Sequence, residues 1–377
     1  MYRSILFHVL LSFVIVSSAQ TSRPLALGIQ IGVMPSGKWD AITDVPGVKV
    51  GHTTLVKGDS VRTGVTAILP FDGNIFQHKV PAGVFVGNGF GKLAGTTQVK
   101  ELGNLESPVI LTNTLSVATA MDAVITYTLE QPGNEKVMSV NAVVGETNDS
   151  YLNDIRGRHV SKEDVLNAIR SASSGPVMEG CVGAGTGTVC FQYKGGIGTA
   201  SRKLPASLGG YTVGVLVQTN FGGVLTIDGV PVGQELKNYY LSDQLNKKED
   251  GSCMIVVATD APLDSRNLTR LAERAFMGLA RTGGIAHNGS GDYVIAFSTD
   301  STLRTAYQAK ERIQQMAVLT NDAVSPLFMG AIEAAEEAII NSLFAATTTK
   351  GVGGHEIPSL PVQQVITIMK KYNRIHP

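Results

Sequence analysis

Three places in the sequence combine residue types with a spacing that chemistry could use. The first is Asp250-Gly251-Ser252, where a polar stretch runs straight into the apolar run Cys253-Met254-Ile255-Val256-Val257. A serine hydroxyl needs a base before it attacks a carbonyl, and an N-terminal residue carries one in its α-amino group, with an ordinary pKa of ~7.7–8.0. Cleavage before Ser252 would therefore create a nucleophile with its base attached. Turn chemistry accounts for the Asp-Gly pair equally well from the residues alone. The second place is Asn288-Gly289-Ser290-Gly291-Asp292, a serine and an acid two residues apart, with His287 beside them as a possible base. The bland alternative is a turn whose polar side chains bond their own backbone, and the GxSxG pattern of a nucleophile elbow is absent. The third is the glycine run from Gly180 to Gly198. It contains neither GxxxxGK[ST] nor a GxGxxG opening a helix, so it reads as backbone packed closely against another segment rather than as a phosphate cradle.

The remaining composition narrows the chemistry. His52, His78, His159, His287, His355 and His376 are scattered, with no HExxH and no CxxC, so a reaction without metal or cofactor is expected. Thirty-one basic residues balance 31 acidic ones, which leaves no charge excess to draw nucleic acid or anionic lipid. A hydrophobic share of 43% with 16% charged residues fits a folded chain with a large core. Residues 1–19 have the form of a signal peptide: Arg3, an apolar stretch from Ile5 to Val16, then Ser17, Ser18 and Ala19. That stretch is shorter than the ~20 apolar residues of a membrane span. Export to the periplasm or medium is expected, with a mature chain starting near Gln20. Cys181, Cys190 and Cys253 make an odd count; Cys181 and Cys190 could pair, but buried thiols are the favoured reading.

The elements that must position these residues are strands and helices interleaved without strict alternation. Strands are expected at Val65–Leu69, Gly83–Val86, Val109–Leu111, Val140–Val144, Val213–Gln218, Met254–Ala258 and Tyr293–Phe297, with turn signals such as Val86-Gly87-Asn88-Gly89 between some of them. Helical spacing marks Ser116–Glu130, a segment capped by Ser161, another capped by Asp264 or Ser265, a long one from Asn321 or Asp322 to about Phe344, and about Val362 to Lys371. Lys237 to Asp250 is the most polar stretch and reads as an exposed loop. No composition break resembles a linker, so one large α/β domain follows.

Taken in order, the motifs carry a resemblance. They are Asp44-Val45-Pro46-Gly47-Val48-Lys49-Val50-Gly51-His52, Gly145-Glu146-Thr147-Asn148-Asp149, Val182 to Gly187, Lys194 to Ser201, Thr219-Asn220-Phe221-Gly222, Asp250-Gly251-Ser252, Thr259-Asp260-Ala261-Pro262-Leu263 and Gly289-Ser290-Gly291-Asp292. In these the chain resembles the DmpA-type aminopeptidases, also called L-aminopeptidase/D-esterases or β-peptidyl aminopeptidases, over essentially its whole mature length. The resemblance implies an αββα four-layer sandwich and a serine N-terminal-nucleophile hydrolase that cleaves itself between Gly251 and Ser252. The products would be a larger chain, 20–251, and a smaller one, 252–377.

Position by position, the resemblance makes Ser252 the nucleophile, Ser290 its supporting serine, and Asp292 the acid, which is glutamate in at least one member. Asn220 becomes the oxyanion donor and Glu146 the carboxylate that meets the substrate amine. Another member has tyrosine two residues after this glutamate; Asn148 stands there, which leaves that part of oxyanion binding to a backbone N–H. Lacking a Cβ, Gly251 would let the scissile bond sit in a geometry that other residues resist. Short peptides and aminoacyl amides or esters are the implied substrates, and homotetramers the implied assembly. Three glycosylation-type sequences, at Asn148, Asn267 and Asn288, include two at site segments where a sugar would block access, which favours bacterial export. Two alternatives stand beside this reading. An acyltransferase of the ornithine acetyltransferase type shares the fold and self-cleavage but uses threonine where this chain has Ser252. A non-catalytic binding protein would remain one intact chain.

Overall fold

Strands apolar on both faces need cover on both sides, and this sequence supplies several such runs. The structure, a computed structural model, describes residues 23–240 and 251–375. Residues 1–19 and positions 241–250 of the polar stretch lie outside the described residues. The strands are β1 (Lys49–Lys57), β2 (Val61–Leu69), β3 (His78–Gly89), β4 (Leu93–Ala94), β5 (Asn104–Leu105), β6 (Val109–Asn113), β7 (Val143–Thr147), β8 (Val189–Cys190), β9 (Tyr193–Lys194), β10 (Ile197–Lys203), β11 (Thr212–Asn220), β12 (Ser252–Thr259), β13 (Gly291–Ser298) and β14 (Thr305–Ala306). The helices are α1 (Thr96–Leu102), α2 (Val117–Leu129), α3 (Lys162–Arg170), α4 (Val232–Glu235), α5 (Ser265–Arg281), α6 (Ser325–Ala345) and α7 (Val362–Lys371).

Two sheets dominate. One runs β1-β2-β6-β7-β4, and the other β10-β11-β12-β13-β3-β14 with β5 on β3. Alternation along the strands sorts their side chains into separate cores. Cys253, Ile255 and Val257 of β12 join Leu268, Leu271, Ala275, Ala335 and Ile339 of α5 and α6. Met254, Val256 and Ala258 instead meet Ile68, Val109, Leu111 and Val143 of the other sheet. A third core joins Val65, Ile110 and Val144 to Val124 of α2 and Val165 of α3. Three cores separate four layers, helices–sheet–sheet–helices, as expected.

Capping follows the sequence where it was read. The Ser161 side chain accepts from the Asp164 N–H in a capping box at α3, and Asp264 accepts from the Asn267 N–H at α5. In the glycine run, a Cβ on Gly198 would strike the Ala338 carbonyl of α6, so that glycine lets a strand lie directly on a helix. The acids of α6, Glu333, Glu336 and Glu337, are buried. Arg202, 1% exposed, donates through Nε to Glu333 (3.0 Å) and through Nη1 to Glu337 (2.5 Å), and through Nη2 to the Ile31 carbonyl (2.6 Å). Burial pushes the Glu337 carboxyl up to about 7, against the pull of Arg202. No disulfide joins Cys181, Cys190 or Cys253.

Candidate active site

Strand register does most of the assembly. β12 lies between β11, antiparallel, and β13, parallel, so that Asn220, Ser252 and Gly291 form one row across the sheet. Ser252 is buried, and by alternation with Met254 its side chain points into the space between the sheets. Its hydroxyl donates to the Gly251 carbonyl oxygen at 2.6 Å and accepts from the Gly291 N–H at 3.2 Å. The same Gly291 N–H also donates to the Gly251 carbonyl at 3.2 Å. The hydroxyl is therefore seated on the bond expected to break, and one backbone donor touches both partners.

Asn220, last in β11, has its amide fixed from both ends. Its Oδ1 accepts from the Val189 N–H at 2.9 Å and its Nδ2 donates to the Asn148 carbonyl at 3.0 Å. The amide cannot be flipped, because the Val189 N–H needs an oxygen, and one N–H remains to turn toward an oxyanion. Asn148 enters through its backbone; its side chain accepts from the Ser150 N–H at 3.0 Å and closes a local turn. Next to this, the Gln218 amide donates to the Thr112 carbonyl, the Thr147 hydroxyl and the Ala184 carbonyl at 2.9–3.1 Å, pinning the two sheets together.

Ser290 and Asp292 sit on the other side of the row. The Ser290 hydroxyl donates to Asp292 Oδ1 at 2.8 Å, and both side chains are buried. Asp292 Oδ2 is buried with no hydrogen-bond partner among the described residues. Burial pushes this carboxyl up to about 6, while the Ser290 hydroxyl, His287 and the Cys253 N–H pull it partly back. Neither Ser290 nor Asp292 makes a hydrogen bond to the Ser252 hydroxyl. Asp292 is in register with Cys253, one residue beyond Ser252, and pushes the Cys253 thiol upward together with burial. The link to Ser252 runs through the intervening Gly291 N–H. Nor does Ser290 use His287 as a base; its N–H donates to the His287 carbonyl at 2.8 Å.

Glu146 comes from the other sheet. Its buried carboxylate accepts from the Lys92 N–H at 3.0 Å and from the Thr114 hydroxyl, with the Lys92 ammonium 3.8 Å away. Gly91 connects it to the nucleophile row: a Cβ there would lie 3.1 Å from both Glu146 Oε1 and Gly291 Cα. The segment 88–92 is the part that sequence reading missed. Asn88 Nδ2 donates to the carbonyls of His287 (3.0 Å), Asn288 (3.2 Å) and Ser290. The Phe90 N–H donates to the Ser290 carbonyl at 3.2 Å. Val86-Gly87-Asn88-Gly89 is not a turn but the end of β3, with a register shift opposite Asp292 and Tyr293. Gly87 is required there because a Cβ would strike the Phe276 ring. The one available signal was Asn88 itself, a polar side chain flanked by glycines.

The peptidase family S58 sequence model matches residues 40–357. The chain belongs to peptidase family S58. It is 41% identical over 382 residues to a β-peptidyl aminopeptidase of Sphingosinicella microcystinivorans, covering 95% of this chain and 94% of that protein. The Burkholderia sp. β-aminopeptidase structure superposes with a TM-score of 0.85 at 41% identity, covering 93% of this chain and 99% of the other. The L-aminopeptidase D-Ala-esterase/amidase of Ochrobactrum anthropi, a variant of the Ntn-hydrolase fold, gives 0.86 at 34% identity, with 94% and 99% covered. The S58 chain is thus a serine aminopeptidase of that fold, as its motifs implied.

Proposed function

We propose that this enzyme matures by cutting its own Gly251–Ser252 bond and then releases N-terminal residues from short peptides, amides or esters through Ser252. The observation that carries the reading is the placement of the Ser252 hydroxyl 2.6 Å from the Gly251 carbonyl oxygen, with the Gly291 N–H on both. Attack on that carbonyl moves the acyl group from nitrogen to oxygen, and water releases the ester. The freed α-amine is then the base for every later turnover. A substrate carbonyl takes the place of the Gly251 carbonyl, with the Asn220 amide and the Gly291 N–H aimed at the developing oxyanion. Glu146 holds the substrate ammonium in exchange for its 3.8 Å contact with Lys92. The Ser290–Asp292 pair, 2.8 Å apart, holds and polarises the new amine.

The two pieces stay together in this reading, because β12 begins the smaller piece yet pairs along its length with β11 of the larger one. Export through residues 1–19 and assembly into a tetramer complete the proposal, supported by the signal-like composition and the family resemblance. α- and β-aminoacyl substrates differ by one backbone methylene, worth only ~1–3 kcal/mol in a pocket, and L- and D-substrates differ in configuration. A panel of L-, D- and β-aminoacyl p-nitroanilides tests the activity. Release of p-nitroaniline by the wild type and none by Ser252→Ala is expected. Equal release by both would remove Ser252 from the mechanism.

A further inference from the structure

In the uncleaved chain the future base does not yet exist: the nitrogen of Ser252 is an amide, and an amide does not take a proton from a hydroxyl. Self-cleavage therefore needs a different proton acceptor from the one used in turnover. Neither Asp292 nor Glu146 bonds the Ser252 hydroxyl. Glu146 is engaged by the Lys92 N–H and Thr114, and Asp292 by Ser290.

One titratable side chain lies beside the scissile residue, although it too makes no hydrogen bond to the Ser252 hydroxyl. A Cβ on Gly251 would lie 2.9 Å from His287 Nε2, closer than Phe221 Cα (3.2 Å) or the Asn220 carbonyl oxygen (3.3 Å). Adding one carbon–carbon bond of about 1.5 Å puts the imidazole nitrogen within about 4.4 Å of the Gly251 Cα. That nitrogen is buried and has no hydrogen-bond partner among the described residues, although a buried imidazole nitrogen normally finds one. The residue is held in place by its own backbone, whose carbonyl accepts from the Ser290 N–H at 2.8 Å and Asn88 Nδ2 at 3.0 Å. Its ring lies nearly parallel to that of Tyr240, with 6.3 Å between centroids. Asp292 is close enough for His287 to act on its carboxyl electrostatically.

We infer that His287 Nε2 carries the proton in the self-cleavage step, an inference that rests on cleavage at Gly251–Ser252. The imidazole accepts the Ser252 hydroxyl proton as Oγ bonds to the Gly251 carbonyl carbon. It gives that proton to the Ser252 nitrogen as the carbon–nitrogen bond breaks, leaving a Gly251 ester and a free amine. One water then hydrolyses the ester, its hydroxyl going to the Gly251 carbonyl and its proton to Ser252 Oγ. The absence of a Cβ at position 251 acquires a concrete reason: a methyl there would occupy the path between the imidazole and the scissile bond.

The test follows cleavage of the full-length chain during cell-free synthesis, on a denaturing gel with time. General acid–base groups contribute about 10²–10⁴-fold. His287→Ala, and the nearly isosteric His287→Gln, should therefore both cleave at least about a hundredfold more slowly than wild type. Added imidazole should speed His287→Ala and leave Ser252→Ala uncut, a rescue that a merely structural role would not give. His287→Ala or His287→Gln cleaving at the wild-type rate, or slow cleavage of His287→Ala that imidazole does not accelerate, overturns the inference while self-cleavage stands. A wild type that is never cut at Gly251–Ser252 removes the reading beneath it instead.

Discussion

Asp292→Asn separates the site's electrostatics from its packing. Burial raises the Asp292 carboxyl from 3.8 to about 6. Between those values the folded chain keeps a proton that the unfolded chain releases. Its contribution to stability is fully present below about pH 3.8 and lost as pH rises through about 6, and the displacement corresponds to about 3 kcal/mol. Asparagine stays neutral throughout, so the variant should unfold at a higher temperature than wild type at pH 7.5. The gain should be less than the full amount, because Oδ2 has no partner among the described residues and an amide NH₂ there would have none among them either. Activity should move the opposite way. Turnover needs the amine of Ser252 unprotonated and, in this account, Asp292 ionised. From pH 7 to pH 5 the ionised fraction of a group at about 6 falls roughly tenfold, on top of the roughly hundredfold loss of free amine. The wild-type plot of log kcat/KM against pH should therefore steepen toward a slope of two where Asp292 also takes up a proton, at or below about pH 6 because the new α-ammonium favours its ionised form. The plot for Asp292→Asn, lower throughout, should keep a slope of one. The assay is p-nitroanilide hydrolysis across this range, normalised to the amount of cleaved chain on a gel. Equal slopes, or undiminished activity in the variant, would refute an ionised Asp292 in turnover.

Asn220→Ala should lower kcat about 10²–10³-fold with little change in KM, because its free N–H is aimed at charge that develops only in the transition state; steady-state kinetics would show instead a pure KM effect if the amide merely ties Val189 to Asn148. Glu146→Gln should raise KM for substrates with a free amine far more than it slows self-cleavage, and equal loss of both in a gel-and-kinetics comparison would make the residue structural. Arg202→Ala leaves Glu333 and Glu337 buried without their cation, so a loss of about 3–5 kcal/mol is expected in denaturant melts; a loss below about 1 kcal/mol would show that the pair's own elevated carboxyl absorbs the change.

The sequence made five of the seven described helices and parts of seven strands legible; it left α1, α4, β1 and β10 unread and misplaced the strand ends. Val213–Gln218 is in fact Thr212–Asn220, Met254–Ala258 is Ser252–Thr259, and Tyr293–Phe297 is Gly291–Ser298. In each case the missing end is polar or glycine, and apolar periodicity stops before it. Those ends form the candidate site: Asn220, Ser252 and Gly291 are the row on which the proposed reaction is built. The expected strand Val140–Val144 was likewise shifted, since β7 is Val143–Thr147 and includes Glu146. Pattern reading truncates a strand where its function begins, because a side chain kept for chemistry breaks the rule that marks the strand. The motifs singled out Ser252, Ser290, Asp292, Asn220 and Glu146 by position. They could not reveal that Asn148 acts through its carbonyl, that Asp292 faces Cys253 rather than Ser252, or that segment 88–92 binds three site elements together. Those depend on register and on contacts between distant segments.

The central claim is that Ser252 becomes an N-terminus, and sequencing the smaller fragment of the purified active enzyme tests it most directly. The account predicts two fragments from wild type, the smaller one beginning Ser-Cys-Met-Ile-Val, and a single uncut, inactive chain from Ser252→Ala. An active enzyme that remains one chain, or whose smaller fragment begins elsewhere, would contradict it.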